Sequence, residues 1–224
     1  MKKNQDYKNA ALAALKGNWA PSLVATIVLV AIMYVIMVPY MTAYVLNIEN
    51  LNPDTLALIG GCSMFMYLGL IFLFFPLDVG YTNAFNALYV EGDDRITSNT
   101  FRDSFGQYLK NVWAMFLMVL FVSLWSMLLL IPGIVKAYSY AMLPYILKDN
   151  PELSAMDAIR LSSKMMKGHK FDLFYLQLSF IGWAILAVLT GGIGLLWLQP
   201  YMMTTQASFY QDIKKDFIST NINN

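Results

Sequence analysis

Long stretches of apolar residues alternate with short polar segments along the whole chain. A bilayer-spanning α-helix needs about 20 predominantly apolar residues. By that measure the sequence predicts six transmembrane helices, at residues 19–46, 56–76, 112–131, 133–147, 171–190 and 193–209. The predicted fold class is therefore all-α, a polytopic membrane helix bundle in which residues 1–224 form a single integral membrane domain.

The same order of features occurs three times, which indicates an internal repeat. A polar segment able to form a helix leads into a lysine, an aromatic residue and a span, in LKGNWAPSL, LKNVWAMFL and MKGHKFDLF. The span that returns contains a proline, in FPLDVGY, LPYILKD and QPYMMTT. We infer three hairpin-like units, each with an interfacial helix on the cytoplasmic side, a span, a turn and a kinked span.

The basic residues are distributed unevenly around these spans. Every Lys and Arg except Lys136 falls on one predicted side, whereas the loops on the other side carry only Glu49 and Asp54. Basic residues tend to stay in the cytoplasm, so both termini are predicted to be cytoplasmic. The first span is too long for the apolar region of a signal peptide and no small-residue cleavage site follows it. We therefore expect it to remain as an anchor.

Composition supports the membrane class and argues against several others. Hydrophobic residues make up 58% of the chain and charged residues 13%, whereas an ordinary soluble domain has roughly 25% charged residues. The formal net charge is +1, and no basic or acidic tail suggests nucleic acid as a partner. Cys62 is the only cysteine, which excludes an intramolecular disulfide and a cysteine metal cluster.

The segment between the fourth and fifth spans is typical of an amphipathic helix. Ser154 is a candidate N-cap, with Asp157 three residues later. Helical spacing gives a polar face with Arg160, Lys164 and Lys167, and Lys170 follows the helix. The opposite face consists of Ala155, Ala158, Ile159, Ser162, Met165 and Met166. We predict an interfacial helix whose basic residues face anionic headgroups, either as topology determinants or as a lipid-recognition site.

The segment before the third span has a similar character. Phe101, Phe105, Tyr108 and Leu109 follow the i, i+4, i+7, i+8 pattern of one helix face. The helix is expected to start uncapped or with Ser98 as its cap. We expect it, too, to lie in the membrane interface.

Lys136 stands in the otherwise uncharged run IPGIVKAYSYAMLPYIL. Pro132 and Gly133 are predicted to form the turn at which the fourth span begins. Three residues beyond Gly133, Lys136 would lie about 4.5 Å along the helix, within reach of the outer headgroups. An anchoring role there is the simpler interpretation. The alternative is that Lys136, with Tyr138 and Tyr140, points into the bundle and binds an anionic headgroup or a substrate carboxylate.

Asp78 is the other charged residue in an apolar run. It would lie about 33 Å beyond Leu56 on a continuous helix, which places it at the inner boundary. A direct pair with Lys136 is therefore not expected. Asp78 is predicted to meet a cytoplasmic Lys or Arg, or to cap amides exposed after Pro76. A proton or cation site is the alternative hypothesis.

The sequence offers no recognisable catalytic apparatus, cofactor motif or metal site. His169 is the only histidine and lies between Lys167 and Lys170, where a solvated interfacial residue is expected. The glycine-rich TGGIG is predicted to form a turn between spans and not a phosphate loop. The leading hypothesis is a non-enzymatic component that binds membrane lipids or a membrane protein partner. The alternative is a small-solute or lipid transporter that uses Lys136 and the kinked fourth and sixth spans.

Four segments carry a family resemblance: PLDVGY, IPGIVKAYSYAMLPYIL, NPELSAMDAIRLSSKMMKGHKFDLF and LSFIGWAILAVLTGGIGLLWLQPYMMTTQASFY. Together they resemble the bacterial membrane family catalogued as domain of unknown function 975. More remotely, the chain is similar to the membrane domain attached to some glycerophosphodiester phosphodiesterases. The resemblance implies a bacterial plasma-membrane protein and transfers no catalytic residues. The phosphodiesterase activity is not expected, because the sequence given has no such domain.

Overall fold

The computed structural model describes residues 2–222, which form α-helices and one π-helical segment but no strand. The helices are α1 (Asn4–Leu15), α2 (Trp19–Asn47), α3 (Pro53–Gly69), the π-helical segment Leu70–Phe74, α4 (Phe75–Glu91), α5 (Ile96–Gly106), α6 (Tyr108–Leu128), α7 (Leu130–Tyr140), α8 (Leu143–Asp149), α9 (Ala155–Met165), α10 (Lys170–Leu178), α11 (Ile181–Leu189) and α12 (Leu195–Ile222). The all-α prediction is thus confirmed for the described residues.

Five helical stretches in the described part of the chain are long and apolar enough to cross a bilayer. They are Trp19–Asn47, Pro53–Glu91, Tyr108–Leu128, Leu130–Asp149 and Lys170–Leu189. These stretches overlap the first five predicted spans. The sixth predicted span lies in α12, which has 28 residues and is long enough, but it is less apolar and is not among the five.

The second stretch extends further than the sequence indicated. α3, the π-helical segment and α4 follow one another without a break, so one helix of 39 residues runs from Pro53 to Glu91. Pro76 lies just after the π-helical segment, whose wider turns accommodate the missing N–H and the bulky ring. Asp78 therefore lies inside a continuous helix, and its predicted capping of amides exposed after Pro76 was wrong.

The hairpin between α6 and α7 turns earlier than predicted. The turn is at Leu129, which has an extended backbone, and α7 begins at the next residue. Pro132 and Gly133, predicted to form the turn, instead lie in the first turn of α7, where proline is tolerated. A Cβ on Gly133 would overlap the Ser126 side chain, so this glycine allows α6 and α7 to pack closely.

Two of the apolar stretches contain helix breaks. Residues 141–142 separate α7 from α8, and residues 179–180 separate α10 from α11. The predicted TGGIG turn between α11 and α12 is confirmed. Gly191 and Gly192 have φ angles of +68° and +87°, which side chains with a Cβ rarely adopt.

α12 lies against several other elements of the bundle. Tyr210 stacks on Tyr145 of α8 with ring centroids 4.4 Å apart. On α1, the ring of Tyr7 meets Phe209 edge-on at 5.6 Å. All four aromatic side chains are almost fully buried. Because protein covers these faces of α12, the helix needs fewer apolar residues than one surrounded by lipid.

The outer surface of the apolar stretches is rich in large hydrophobic side chains. Met127 is 84% exposed, Leu189 77% and Leu46 76%. A soluble monomer rarely exposes contiguous apolar patches of large area. The distribution is compatible with helices surrounded by lipid.

The helix predicted from the Ser154 cap is present as α9. The Ser154 Oγ accepts a 3.2 Å hydrogen bond from the Asp157 backbone N–H, as expected for an N-cap. The apolar face is confirmed as the buried one, with Ala155, Ala158, Ile159, Ser162, Met165 and Met166 all buried. That face packs on α6, α7 and α8, so protein and not lipid covers it. The predicted interfacial position of the helix stays a prediction, and only its exposed basic face is free to meet headgroups.

α5 differs from α9 in this respect. It starts at Ile96 without a side-chain cap, and its buried residues are Ile96, Asn99, Thr100 and Ser104. The predicted apolar face is exposed, with Phe101 at 37% and Phe105 at 49%. α5 therefore packs on protein through its small and polar residues and leaves its aromatic stripe outward.

Candidate functional site

A cavity with a volume of about 480 Å³ lies between α7 and α10. We call it the α7–α10 cavity. Its walls are almost entirely apolar or aromatic, and two lysines stand among them. The lining residues are Ile131, Ile134, Val135, Tyr138, Lys167, Gly168, Lys170, Phe171 and Phe174. Ile131 and Phe171 are each 74% exposed, so the cavity opens to the surface of the bundle.

Tyr138 connects the two walls of this cavity. Its hydroxyl donates a 2.8 Å hydrogen bond to the Gln177 Oε1 on α10. The ring meets Phe174 edge-on, with centroids 6.0 Å apart. Both contacts fix the separation of α7 and α10 on one side of the cavity.

The chain direction around Gly168 brings the two lysines to the cavity. Gly168 has a φ of +91°, which ends the α9 segment and turns the chain into α10. Lys167 precedes this glycine and Lys170 starts α10, so both flank the turn. Two cationic side chains thus stand at one part of a cavity that is otherwise uncharged.

Lys136 lies close to this cavity without lining it. Its Nζ is 4.9 Å from the centroid of the Trp125 ring and 6.0 Å from that of Tyr140, within cation–π range. The charges of Lys136 and Lys170 are close enough to repel each other. The two lysines therefore lie within electrostatic range of each other, and both roles considered for Lys136 stay predictions.

The remaining basic candidates lie elsewhere. Arg160 and Lys164 are on the exposed face of α9, and the Arg160 Nη1 is 3.3 Å from the Asp157 Oδ1. Both side chains of that ion pair are well exposed, at 69% and 52%. The structure thus separates the four predicted basic residues into two at the cavity and two on the outer face of α9.

Asp78 and Tyr140 line a second cavity, of about 300 Å³, with residues of α4, α6, α7, α8 and α12. We call it the Asp78 cavity. No ion pair or hydrogen bond of the Asp78 carboxylate is found among the described residues. The predicted pairing of Asp78 with a cytoplasmic Lys or Arg was therefore wrong.

A third cavity, of about 270 Å³, was not predicted from the sequence. It lies beside α5 and α8 and is lined by Arg102, Asp103 and Lys148 together with the buried amides of Asn83 and Gln107. The Asp103 carboxylate pairs with both basic side chains. The side-chain oxygens of Asn83 and Gln107 have no hydrogen-bond partner in the described residues.

Lys8 is a further residue whose place the sequence did not reveal. Counted as a cytoplasmic charge, it is in fact 8% exposed, and its Nζ donates a 2.9 Å hydrogen bond to the Ser179 carbonyl oxygen. The ammonium also lies 4.2 Å from the centroid of the Phe180 ring. Burial lowers the pKa of Lys8 below its ordinary value. The only local sign of this burial in the sequence is that Lys8 adjoins Tyr7, on the helix face that continues with the apolar Ala11 and Leu15.

Taken together, the all-helical fold and the five long apolar helices of the described residues are compatible with the class of helical membrane proteins. Within that class, residues 62–216 match the model of the family described as Protein of unknown function (DUF975). The match covers more than half of the chain, and the protein belongs to this family. No curated protein and no solved structure matches the chain.

Proposed function

We propose that this protein is a non-enzymatic membrane component that binds an anionic phospholipid at the α7–α10 cavity. The observation that carries the proposal is the combination of a 480 Å³ apolar cavity with Lys167 and Lys170 in its lining. An acyl chain suits walls of Ile131, Ile134 and Phe174. A phosphate group suits two ammonium groups that no lining carboxylate neutralises.

Lys136 strengthens this charge arrangement. The charges of Lys136 and Lys170 repel each other, and an anion between them would relieve that repulsion. The open side of the cavity, where Ile131 and Phe171 are exposed, offers a lipid direct access from the bilayer. Tyr138 forms part of the cavity wall. Its hydroxyl is not assigned a role in binding the lipid, because it already donates a hydrogen bond to Gln177.

The proposal includes a topology for the whole chain. α12 would be a sixth span, shielded from lipid by the helices packed around it. The short helices α1, α5 and α9 would begin three hairpin-like units whose returning spans contain Pro76, Pro144 and Pro200. The excess of basic residues on one side supports cytoplasmic termini, and the family resemblance supports a bacterial plasma membrane.

The test compares two double variants that remove the same charge. Lys167→Gln with Lys170→Gln changes the cavity, whereas Arg160→Gln with Lys164→Gln changes only the exposed face of α9. Each protein is extracted into native lipid discs, and the associated lipids and proteins are quantified by mass spectrometry. We expect several-fold depletion of anionic phospholipid in the cavity variant only.

Two outcomes would overturn the proposal. Equal depletion in both variants would mean that the basic residues attract anionic lipid only through their summed surface charge. A stoichiometric protein that copurifies with bulk lipid composition unchanged would instead indicate an accessory subunit. Circular dichroism of each variant checks that the helical fold is retained.

A further inference from the structure

Asp78 is a carboxylate without a countercharge inside an apolar helix bundle. It lies in the continuous helix from Pro53 to Glu91 and is half-buried. Among the described residues that line its cavity, none is basic. Transferring an unpaired carboxylate from water into such surroundings is costly, so intramembrane acidic residues usually have a partner.

The cavity forms where three proline-containing helices meet. Asp78 and Thr82 come from the helix with Pro76, and Tyr140 comes from α7, which stops just before Pro144. Met203 and Gln206 come from α12, three and six residues after Pro200. Irregular backbone at membrane depth is tolerated where it lines a cavity, and broken helices often surround ion sites.

The backbone near Asp78 is irregular on more than one helix. The π-helical segment Leu70–Phe74 directly precedes α4, and such segments frequently occur at functional sites. Residues 141–142 interrupt the fourth apolar stretch next to Pro144. In α12, Pro200 has no N–H to donate to the Leu196 carbonyl. Three helices thus depart from regular hydrogen bonding around one carboxylate.

Lys136, the lysine within the fourth apolar stretch, does not neutralise Asp78. Lys136 forms no ion pair with it, and its Nζ is directed at the rings of Trp125 and Tyr140. Tyr140 separates the two charges, since its ring contacts Lys136 while it also lines the Asp78 cavity. The described residues thus supply no countercharge, so the Asp78 carboxyl is either protonated or balanced by a cation in the cavity.

The other lining residues indicate the chemistry of such a cation. Met115, Met118, Val119 and Val122 of α6 make much of the wall apolar, and methionine adapts to irregular shapes. The remaining wall carries oxygen-bearing side chains, those of Asp78, Thr82, Ser123, Tyr140 and Gln206, which can accept hydrogen bonds from a cation. An ammonium group can donate to Asp78 and Gln206, while an attached alkyl group packs on the methionines. The volume of about 300 Å³ accommodates several carbon atoms besides the charged group.

We infer that the Asp78 cavity binds a small organic ammonium ion, with Asp78 as its counter-ion. Asp78 and Gln206 accept hydrogen bonds from the N–H groups, and the α6 methionines enclose the alkyl part. This inference does not depend on lipid binding at the α7–α10 cavity. The Lys167→Gln, Lys170→Gln double variant should therefore bind the ammonium ion as the unaltered protein does.

The experiment uses n-butylammonium chloride as the probe and the full chain in a non-ionic detergent. Binding is measured as the rise in melting temperature with probe concentration. Sodium chloride at equal ionic strength controls for screening, and neutral n-pentanol controls for apolar partitioning. We expect stabilisation by n-butylammonium alone, and an apparent affinity at least about tenfold weaker in Asp78→Asn, as expected on losing a charged hydrogen-bond partner.

Matched variants distinguish the site from a general charge effect. Asp54→Asn removes the same charge from the first turn of α3 and should respond as the unaltered protein does. Asp78→Glu keeps the carboxylate and should keep part of the response. An equal shift with sodium chloride, the same response in Asp78→Asn, or no response of the unaltered protein to the probe would each overturn the inference.

Discussion

The hydroxyl of Tyr7 donates a 2.6 Å hydrogen bond to the Asp212 carboxylate and so joins α1 to α12. Tyr7 is 1% exposed, and its ring packs edge-on against Phe209 one turn earlier on the same helix. The backbone N–H of Lys2 also donates to Asp212, over 3.5 Å. The amino-terminal helix is therefore fixed to the bundle by polar and apolar contacts together.

Replacing Tyr7 with Phe removes this hydroxyl and keeps the ring. A hydrogen bond to a charged acceptor contributes about 1.5–3 kcal/mol, so we expect a decrease of that order in the free energy of unfolding. The measurement is the melting temperature in detergent. Tyr34→Phe is the control, since Tyr34 is 70% exposed. Equal melting temperatures for the two variants would contradict a structural role for the Tyr7 hydroxyl.

The contribution of Tyr7 should also depend on pH. Burial, and then the hydrogen bond to Asp212, raise the pKa of Tyr7 above its ordinary value. In the unfolded chain the phenol ionises near pH 10, at about its unperturbed pKa. The stabilisation is thus complete below that pH and is lost as the pH rises toward the higher pKa of the folded state.

The stability difference between the unaltered protein and Tyr7→Phe should therefore shrink above about pH 10. Melting temperatures of both proteins, recorded from neutral to strongly alkaline pH, give this difference directly. Other buried tyrosines affect both proteins equally and cancel in the comparison. A difference that stays constant or grows with pH would contradict a raised pKa of Tyr7 in the folded protein.

The two amphipathic helices show how far hydrophobic periodicity can be trusted. For α9 it gave every buried position from Ala155 to Met166, because the 3.6-residue period follows directly from helix geometry. It could not tell what covers that face, because lipid chains and apolar side chains have the same chemistry. Protein covers α9, whereas the comparable face of α5 is open.

Several residues of the candidate site were predicted from the sequence, but it was not predicted which of them lie together in the structure. Lys167, Lys170 and Tyr138 were recognised as candidates because charged and amphipathic residues are conspicuous next to apolar runs. Their common cavity arises from the packing of α7 on α10, a contact between distant parts of the chain. For the same reason the burial of Lys8 was not predicted, since the Ser179 carbonyl oxygen that accepts its hydrogen bond is 171 residues away.

Gly80 should be essential for the packing of α4 on α5. A Cβ at this position would overlap the Thr100 carbonyl oxygen and the Ser104 hydroxyl, and the backbone atoms of α5 cannot yield. Overpacking of this kind typically costs about 1–3 kcal/mol, so Gly80→Ala should lower the melting temperature clearly. Gly60→Ala, with nothing within 4 Å of the added Cβ, is the matched control. A stabilised or unchanged Gly80→Ala protein would refute the close approach.

The exposed aromatic stripe of α5 should lie in the membrane, and the basic face of α9 should not. Phe105 is 49% exposed and stacks on Phe101 and Tyr108, so the three rings form one largely apolar surface, although the Tyr108 hydroxyl donates a hydrogen bond to the Phe72 carbonyl oxygen. Such a surface inserts into the headgroup region of a bilayer. Arg160, paired with Asp157 on the outer face of α9, should remain in water.

Spin labels can test this difference, because Cys62 is the only cysteine to be removed. In a Cys62→Ser background, a label at Phe105→Cys should be more accessible to oxygen, which concentrates in lipid. A label at Arg160→Cys should be more accessible to a water-soluble nickel chelate. The two positions provide controls for each other, since both are on short helices of the same predicted cytoplasmic side. A label at position 105 that the nickel chelate reaches as readily as one at position 160 would mean that the aromatic stripe faces water, and another protein would then be needed to cover it.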